Sequence, residues 1–206
     1  MNKASLAPSG LPCIAGSMYE DFGEIRADVT DRLTHAVTDR SVPMHTPVVA
    51  TADADARVMV LRGVERGGWL LRFHTDARAP KVAAILRDPR IAVLGYDKQA
   101  KIQLRMRGRA RIERDGARVE EAWAESTNFA RRCYLGDAPG QSSPVPTSGL
   151  PEAFETSEPA DAQLVPARPN FALLMVEVEE IDWFSLAHSG HRRALLTPDE
   201  ARWIAP

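Results

Sequence analysis

The chain has 206 residues, of which 44% are hydrophobic and 26% are charged, and its formal net charge is −2. This balance is typical of one globular domain and provides no overall field that would attract nucleic acid or a membrane surface. The two cysteines, Cys13 and Cys133, are too few for a disulfide framework or a cysteine-based zinc site. No apolar run approaches the roughly 20 residues that span a bilayer, and we expect a cytoplasmic protein.

The N-terminal part of the sequence divides into a tail and a helix. Residues 1–17 contain prolines, one lysine and no sustained apolar run, which favours a flexible tail rather than a signal peptide. Within residues 18–40, apolar side chains recur at spacings of three and four and predict an amphipathic helix: Phe22, Ile25, Val29, Leu33 and Val37. We treat residues 18–206 as a single domain that begins with this helix.

The remaining sequence is dominated by short strand-like runs. Alternating or β-branched segments, separated by Gly, Asp and Pro, predict strands at 47–52, 57–64, 68–75, 90–97, 101–114, 170–186 and 191–197. The Arg-Gly-Gly sequence at 66–68 predicts a hairpin turn, and helices are predicted at 79–89 and 115–133. Residues 137–169 are rich in proline and predict a long irregular loop. This pattern indicates an α+β protein built on an antiparallel β-barrel.

The strand at 101–114 has the cleanest alternation in the chain. One face is apolar, and the other carries Gln103, Arg105, Arg107, Arg109 and Arg111. Such a row of cations requires acidic partners, a second subunit or an anion, and a solvated outer face is the simplest interpretation. No aromatic platform accompanies the row and the chain is slightly acidic, so a nucleic-acid partner is disfavoured.

A second cluster of polar residues follows the predicted strand at 68–75. Thr75, Asp76 and Arg78 come at its end, and Lys81 lies in the first turn of the next helix, directly after Pro80. A helix N-terminus with adjacent Arg and Lys side chains is a good phosphate site. The alternative is an ordinary strand–turn–helix in which Thr75 or Asp76 caps the helix.

Five segments in this order resemble the FMN-binding split-barrel proteins related to pyridoxamine 5′-phosphate oxidase: "RVMVLRGV", "GWLLRFHTDARAPK", "IQLRMRGRARIER", "GQSS" and "WFSLAHSGHRR". The resemblance covers about residues 40–206. It implies a six-stranded antiparallel split β-barrel with Greek-key topology and peripheral helices. It also implies a homodimer with FMN at the subunit interface, a small-molecule substrate, and neither a metal nor a membrane partner.

Carried over residue by residue, the resemblance implies an FMN site. Arg57 matches the arginine that opens the first FMN strand, and Thr75 and Lys81 match the hydroxyl and the lysine that hold the phosphate. The other implied FMN contacts are the backbone of Val58, Met59 and Val60 and the side chains of Gln103, Gln141, Ser142, Trp183 and Arg193. No catalytic residue is certain; His191 matches a histidine near the substrate, and the alternative is that it supports the wall formed by Trp183 and Arg193.

The sequence also departs from the oxidase. Pro80 stands where the oxidase has an arginine before the phosphate lysine, and Arg78 is the candidate replacement. The residues expected to grip a substrate phosphate are mostly different: Arg62, Phe129, Cys133 and Ser189 stand at or near their positions, and no tyrosine corresponds. The sequence therefore predicts an FMN-dependent oxidoreductase that transfers hydride between flavin and an unidentified small substrate. Two alternatives stay open, a true pyridoxamine 5′-phosphate oxidase with shifted ligands and a non-catalytic flavin- or haem-binding protein.

Overall fold

The computed structural model describes residues 19–206, and the predicted flexible tail at 1–17 lies outside the described residues. A nine-stranded antiparallel sheet forms the body of the protein, with its strands in the order β2-β1-β5-β6-β7-β4-β3 and with β8 and β9 attached to β7. The strands are β1 Val48–Thr51, β2 Ala56–Val58, β3 Leu61–Glu65, β4 Leu70–Asp76, β5 Arg90–Asp97, β6 Ile102–Glu113, β7 Phe171–Ser185, β8 Arg192–Leu196 and β9 Ala201–Ile204.

Helix α1, Phe22–Thr38, occupies the region where the apolar periodicity predicted a helix. Asp21 caps it by accepting a hydrogen bond of 2.9 Å from the Glu24 N–H. Its apolar stripe is buried against the sheet through Ile25, Val29, Leu33 and Ala36. The other helices are α2 Pro80–Arg87, α3 Ala117–Glu125 and α4 Asn128–Arg131.

Strand β7 organises the sheet because it pairs with three neighbours. Its first half lies between β4 and β6, and its second half lies between β6 and β8. The register with β6 shifts between Arg107 and Gly108, where a side chain on Gly108 would lie 1.9 Å from the carbonyl oxygen of Glu177. Glycine is therefore required at this bulge, since only a residue without Cβ lets the two backbones approach so closely.

Two predicted elements are divided in the structure, and one strand is additional. The strand predicted at 57–64 breaks into β2 and β3, because Met59 donates to the Pro47 carbonyl at 3.0 Å in the β1–β2 register, but Pro47 has no N–H to return the second bond and the ladder ends there. The helix predicted at 115–133 breaks at Ser126, and Thr127 caps the separate α4 by accepting from the Ala130 N–H. Strand β9 was not predicted. The division of the 57–64 run and the additional β9 turn the seven predicted strands into nine.

Two apolar clusters hold the helices to the sheet. The larger one lies between α1 and the inner sheet face and includes Leu33, Phe73, Leu104 and Trp183. The smaller one packs α3 against the opposite face, through Val119 and Ala122 on the helix and through Leu70, Phe171, Leu173 and Met175 on the sheet. The segment 137–169 has two 3₁₀ helices, Glu152–Phe154 and Asp161–Asn170, between irregular stretches. No helix among residues 19–206 is long and apolar enough to cross a membrane.

Candidate functional site

The turn between β4 and α2 forms the first part of the candidate site. Residues 77–79 connect the two elements, and the N-cap of α2 is Ala79, which has no side-chain hydrogen bond to offer. The prediction that Thr75 or Asp76 caps this helix is therefore wrong. The start of α2 keeps its positive dipole end without a capping side chain, which suits an anion. We call residues 75–81 together with Arg57 the β4–α2 corner.

Lys81 is the unusual cation of the β4–α2 corner. Its side chain is half-buried and makes no hydrogen bond or ion pair with any residue that the structure describes. Burial and the nearby charge of Arg57 lower the pKa of Lys81, and the carboxylates of Asp76 and Asp55 oppose that shift. A half-buried ammonium normally has a partner, so this arrangement indicates that an anion completes the corner.

Arg57 and Thr75 add donors to the same corner. The Arg57 guanidinium donates to the Val49 carbonyl at 3.4 Å and to the Thr51 hydroxyl at 3.2 Å, and it pairs with the exposed carboxylate of Asp55. The Thr75 side chain is buried, and its hydroxyl makes one long hydrogen bond of 3.4 Å to the Asp76 carbonyl. This weak bond leaves the hydroxyl able to turn toward a ligand.

The Arg78 side chain makes hydrogen bonds to other residues of the chain. Its guanidinium donates twice to the Asp76 carboxylate, at 3.0 Å and 2.7 Å, and once to the Gly136 carbonyl at 3.0 Å. The bond to Asp76 raises the pKa of Arg78. Arg78 thus braces the loop at Gly136 and does not stand free beside Lys81. Its role as a replacement for the missing arginine before Lys81 stays a prediction, and Nη1 is the guanidinium nitrogen for which these bonds leave room.

The proline-rich loop passes over the start of α2. A Cβ on Gly140 would lie 3.3 Å from the Pro80 ring, and the base of the loop closes through a 2.8 Å hydrogen bond from the Asp137 N–H to the Gly149 carbonyl. Gln141 and Ser142 follow Gly140 and are exposed. The structure therefore brings the predicted Gln–Ser pair close to the β4–α2 corner.

A second group of predicted residues lies on the outer face of the sheet. Gln103 on β6 pairs directly with Phe184 on β7, and Phe184 pairs directly with Arg193 on β8. Directly opposed residues share one face, so these three side chains form one row. The Arg193 guanidinium carbon lies 5.6 Å from the centre of the Phe184 ring. We call Gln103, Phe184 and Arg193 the outer row.

Trp183 does not join the outer row. Its side chain is 0% exposed, its indole N–H donates to Asp28 on α1 at 3.3 Å, and its ring meets Tyr19 edge to face at 4.8 Å. The contact between Trp183 and FMN stays a prediction, and the aromatic residue that lies beside Arg193 is Phe184, which sequence reasoning missed. The alternation of β7 provides a signal for it, because only one of two adjacent aromatic residues can face the row that contains Arg193.

His191 lies at the edge of the outer row. It is exposed, and its ring packs edge to face with Phe184 at 5.7 Å. A surface cavity of about 230 Å³ lies beside His191, Arg193 and Trp203. His191 has no hydrogen bond to Trp183 or Arg193, so its predicted role as a support for those two residues is absent from the structure, and a contact with a bound small molecule stays open to it.

The arginines of β6 have acidic neighbours on the same face. Arg105 pairs with Asp182 at 2.9 Å, Arg107 pairs with Glu180, and Arg111 pairs with Glu113 at 2.9 Å. The first two partners come from β7. Three of the four arginines in the row thus have acidic partners within the chain, while Arg109 forms no ion pair with the described residues, which agrees with the interpretation of a solvated outer face.

A further cluster of polar groups lies beneath α3 and was not predicted as a unit. His74 on β4 packs edge to face with Phe171 at 5.0 Å, and its Nε2 is buried without a hydrogen-bond partner. Burial, together with the charges of Arg62 and Arg72, lowers the pKa of His74 to about 4. Burial also raises the pKa of Tyr134, while Arg62 opposes that rise.

The β4–α2 corner and the outer row occupy opposite faces of the sheet. Arg57 pairs with Val49, which is fully buried and lies on the core side. Gln103 follows the buried Ile102 and precedes the buried Leu104, so its side chain points away from that core. One copy of the chain therefore does not bring both groups around a single planar ligand.

The residues of the β4–α2 corner fit the phosphate of FMN. An uncapped helix start, an unpaired lysine, a second cation and a nearly free hydroxyl are the donors that a phosphate dianion requires. Among residues 19–206 no group of His, Cys, Asp and Glu side chains is arranged to hold a metal ion.

Comparison with known proteins gives the site a family context. Residues 27–114 match the family model described as pyridoxamine 5′-phosphate oxidase, FMN-binding domain, and this segment contains Arg57, Thr75, Lys81 and Gln103. No curated protein sequence matches the chain.

Solved structures with this fold include a pyridoxamine 5′-phosphate oxidase-related, FMN-binding protein from Nostoc punctiforme. It is 25% identical, with a TM-score of 0.67, and the match covers 93% of this chain and 100% of that one. PhzG from Burkholderia lata, solved with tetrahydrophenazine-1-carboxylic acid, is 16% identical with a TM-score of 0.64, covering 87% of this chain and 91% of that one. A Clostridium acetobutylicum protein related to general stress protein 26 is 13% identical with a TM-score of 0.54, covering 85% and 96%.

Residues 27–114 are therefore similar to the FMN-binding domain of the pyridoxamine 5′-phosphate oxidase family, whose cofactor is FMN.

Proposed function

We propose that the protein is an FMN-dependent oxidoreductase acting on a small organic substrate. The observation that carries this proposal is Lys81, a half-buried cation without a partner at an uncapped helix start, inside the segment that matches the FMN-binding domain. When bound, FMN supplies hydride transfer at its ring, and the protein binds, orients and shields it.

In this proposal the β4–α2 corner holds the phosphate group. Lys81 and Arg57 supply charge, the Thr75 hydroxyl donates a hydrogen bond, and the exposed Gln141 and Ser142 approach from the loop that crosses Pro80. The backbone of Val58, Met59 and Val60 follows directly after Arg57. Met59 and Val60 lie between β2 and β3, and Pro47 opposite Met59 has no N–H to bond the Met59 carbonyl, which leaves backbone groups beside the corner for the polar edge of a flavin.

The outer row is proposed to contact the flavin ring from a second copy of the chain. The two groups of residues lie on opposite faces of one sheet, so a homodimer with FMN at the subunit interface unites them. Exposed apolar side chains on the outer face, Val58, Leu94 and Tyr96, suit such an interface. Closure of the antiparallel sheet into the split barrel, with residues 18–206 as one domain, is part of this proposal. The cytoplasmic location stays a prediction from the sequence.

The colour of the purified protein tests the proposal. A flavin absorption spectrum that bleaches with dithionite and returns in air is the expected result, together with FMN in the acid-released extract. A Soret band, which would indicate haem, or failure to take up added FMN would overturn it.

A true pyridoxamine 5′-phosphate oxidase is the second candidate function. Arg62 favours it, because its guanidinium makes no hydrogen bond or ion pair with the described residues and its charge reaches Tyr134. A cation and a phenol together provide part of a substrate-phosphate site. Turnover of pyridoxamine 5′-phosphate under oxygen at about 1 s⁻¹ or faster, a typical enzymatic rate, would establish this candidate. Flavin reduction by other amines or by reduced heteroaromatic acids, without such turnover, would favour the broader proposal.

A further inference from the structure

The outer face of β7 carries a buried carboxylate that no step of the proposed function uses. Asp182 is 2% exposed, although it lies on the face that β6 and β7 present outward. Its Oδ1 accepts from Arg193 Nε at 2.9 Å, and its Oδ2 accepts from Arg193 Nη2 at 2.7 Å. Arg105 adds a third contact, with Nη2 2.9 Å from Oδ2.

This geometry fixes the orientation of one guanidinium group. Two parallel N–H···O bonds hold a guanidinium in the plane of a carboxylate, which a single contact does not do. The Arg193 guanidinium is thereby kept 5.6 Å from the centre of the Phe184 ring, and Gln103 lies on the other side of Phe184. Burial tends to raise the pKa of Asp182, but the bond from Arg193 and the charges of Arg105, Arg193 and Arg107 outweigh it and hold that pKa below its usual range.

We propose that Asp182 is a positioning residue, which holds Arg193 in the orientation in which it meets the flavin. This inference rests on the proposed function, because it needs Arg193 to contact FMN. Arg105 is the second cation on the same carboxylate, so the three groups together carry one positive charge. Asp182 therefore sets both the direction of Arg193 and the local charge beside the ring.

A neighbouring ion pair supplies a matched control. Glu180 lies two positions before Asp182 on the same face of β7 and pairs with Arg107, but its side chain is 27% exposed and Arg107 is 58% exposed. Its arginine does not flank Phe184, since Arg107 lies opposite Glu180 itself. Glu180→Gln thus removes a carboxylate of the same strand without disturbing the outer row.

The experiment measures the dissociation constant of FMN and the visible circular dichroism of bound flavin in the full-length protein. Asp182→Asn is expected to weaken FMN binding about tenfold and to reduce the dichroism, because Arg193 becomes mobile beside the ring. Glu180→Gln is expected to leave both unchanged. In an Arg193→Ala background, Asp182→Asn is expected to have no further effect on either quantity.

A merely structural role for Asp182 predicts a different pattern. Equal losses from Asp182→Asn with and without Arg193, or an unchanged dichroism spectrum, would overturn the inference. If Asp182→Asn does not fold, Asp182→Asn with Arg105→Ala restores the net charge of the parent cluster. Loss of FMN affinity in that variant supports positioning, whereas parent affinity refutes it.

The same measurements separate this inference from the proposed function. If both Arg193→Ala and Lys81→Ala leave FMN affinity unchanged, the proposed function fails. If they weaken binding but Asp182→Asn is not coupled to Arg193, only the positioning role fails.

Discussion

Lys81 in the β4–α2 corner and the arginines of β6 on the β6–β7 face differ in whether a carboxylate pairs with them. Arg105 and Arg107 lie beside Asp182 and Glu180 of the adjacent strand and form ion pairs with them. Lys81 has no such pair within residues 19–206, although Arg57 nearby lowers its pKa. The arginine-rich strand is conspicuous in the sequence, but the half-buried Lys81 is the better indicator of an anion site, because a cation without a partner is costly to bury unless a ligand supplies the opposite charge.

The largest effect is expected when Arg57 and Lys81, the two cations proposed to bind the FMN phosphate, are both removed. Arg57→Ala with Lys81→Ala should weaken FMN binding at least a hundredfold without changing the oligomeric state, since two charged phosphate contacts contribute about 3–6 kcal/mol. Fluorescence titration of the apoprotein with FMN measures the change. Arg87→Ala is the matched control, because Arg87 lies on the same helix with a side chain that is 71% exposed. Unchanged FMN affinity in the double variant would refute the phosphate assignment.

Trp183 and Phe184 are adjacent on β7 but lie on opposite faces of the sheet, so their substitution should have different effects. Trp183→Ala should destabilise the protein by about 3–5 kcal/mol, because it empties a fully buried site and leaves Asp28 without its indole partner. Phe184→Ala should cost much less stability and instead weaken FMN binding. Urea denaturation of the apoproteins and FMN titration distinguish the two. The reverse assignment of effects would place Trp183 against the flavin.

His74 is a buried base whose Nε2 has no hydrogen-bond partner among the described residues, so it differs from the paired charges of the β6–β7 face. Its pKa is about 4 in the folded protein, against a usual value of 6.5. The unfolded chain therefore binds more protons between those values, and this residue should remove about 2–3 kcal/mol of stability as the pH falls from about 6.5 to about 4. His74→Phe should lessen that acid sensitivity, as measured by urea denaturation at pH 7 and pH 4. Equal pH dependence of the parent and the variant would contradict a neutral, buried His74.

The smallest effect is expected from the removal of an arginine that forms an exposed ion pair. Arg107→Ala should change stability by about 0–1 kcal/mol and leave FMN affinity unaltered, because exposed ion pairs contribute little and are screened by salt. Thermal unfolding at low and high salt, with FMN titration alongside, checks this. A loss of FMN affinity comparable to that of the Lys81 variant would remove the distinction between matched and unmatched charges.

Sequence reasoning located the elements that are determined by residues close together in the chain. The amphipathic spacing located α1, the alternation located the core face of β6, and Arg-Gly-Gly at 66–68 marked the connection between β3 and β4. It did not predict features that depend on contacts between residues far apart in the chain. The break in the strand predicted at 57–64 depends on which residue lies opposite Met59, because Pro47 there has no N–H to continue the ladder, and the partners of Arg78 are Asp76 on β4 and Gly136, which directly precedes the proline-rich loop.

The order of short motifs by itself determined that the chain resembles an FMN-binding domain, because each motif needs only neighbouring residues to supply its donors. It also placed Thr75 and Lys81 beside a helix start. Only the tertiary structure decided which charges are free. Asp76 neutralises Arg78, Glu180 neutralises Arg107, and Phe184 rather than Trp183 faces Arg193. Strand register sets these pairings, and a shift of one residue would turn every side chain of β7 to the other face.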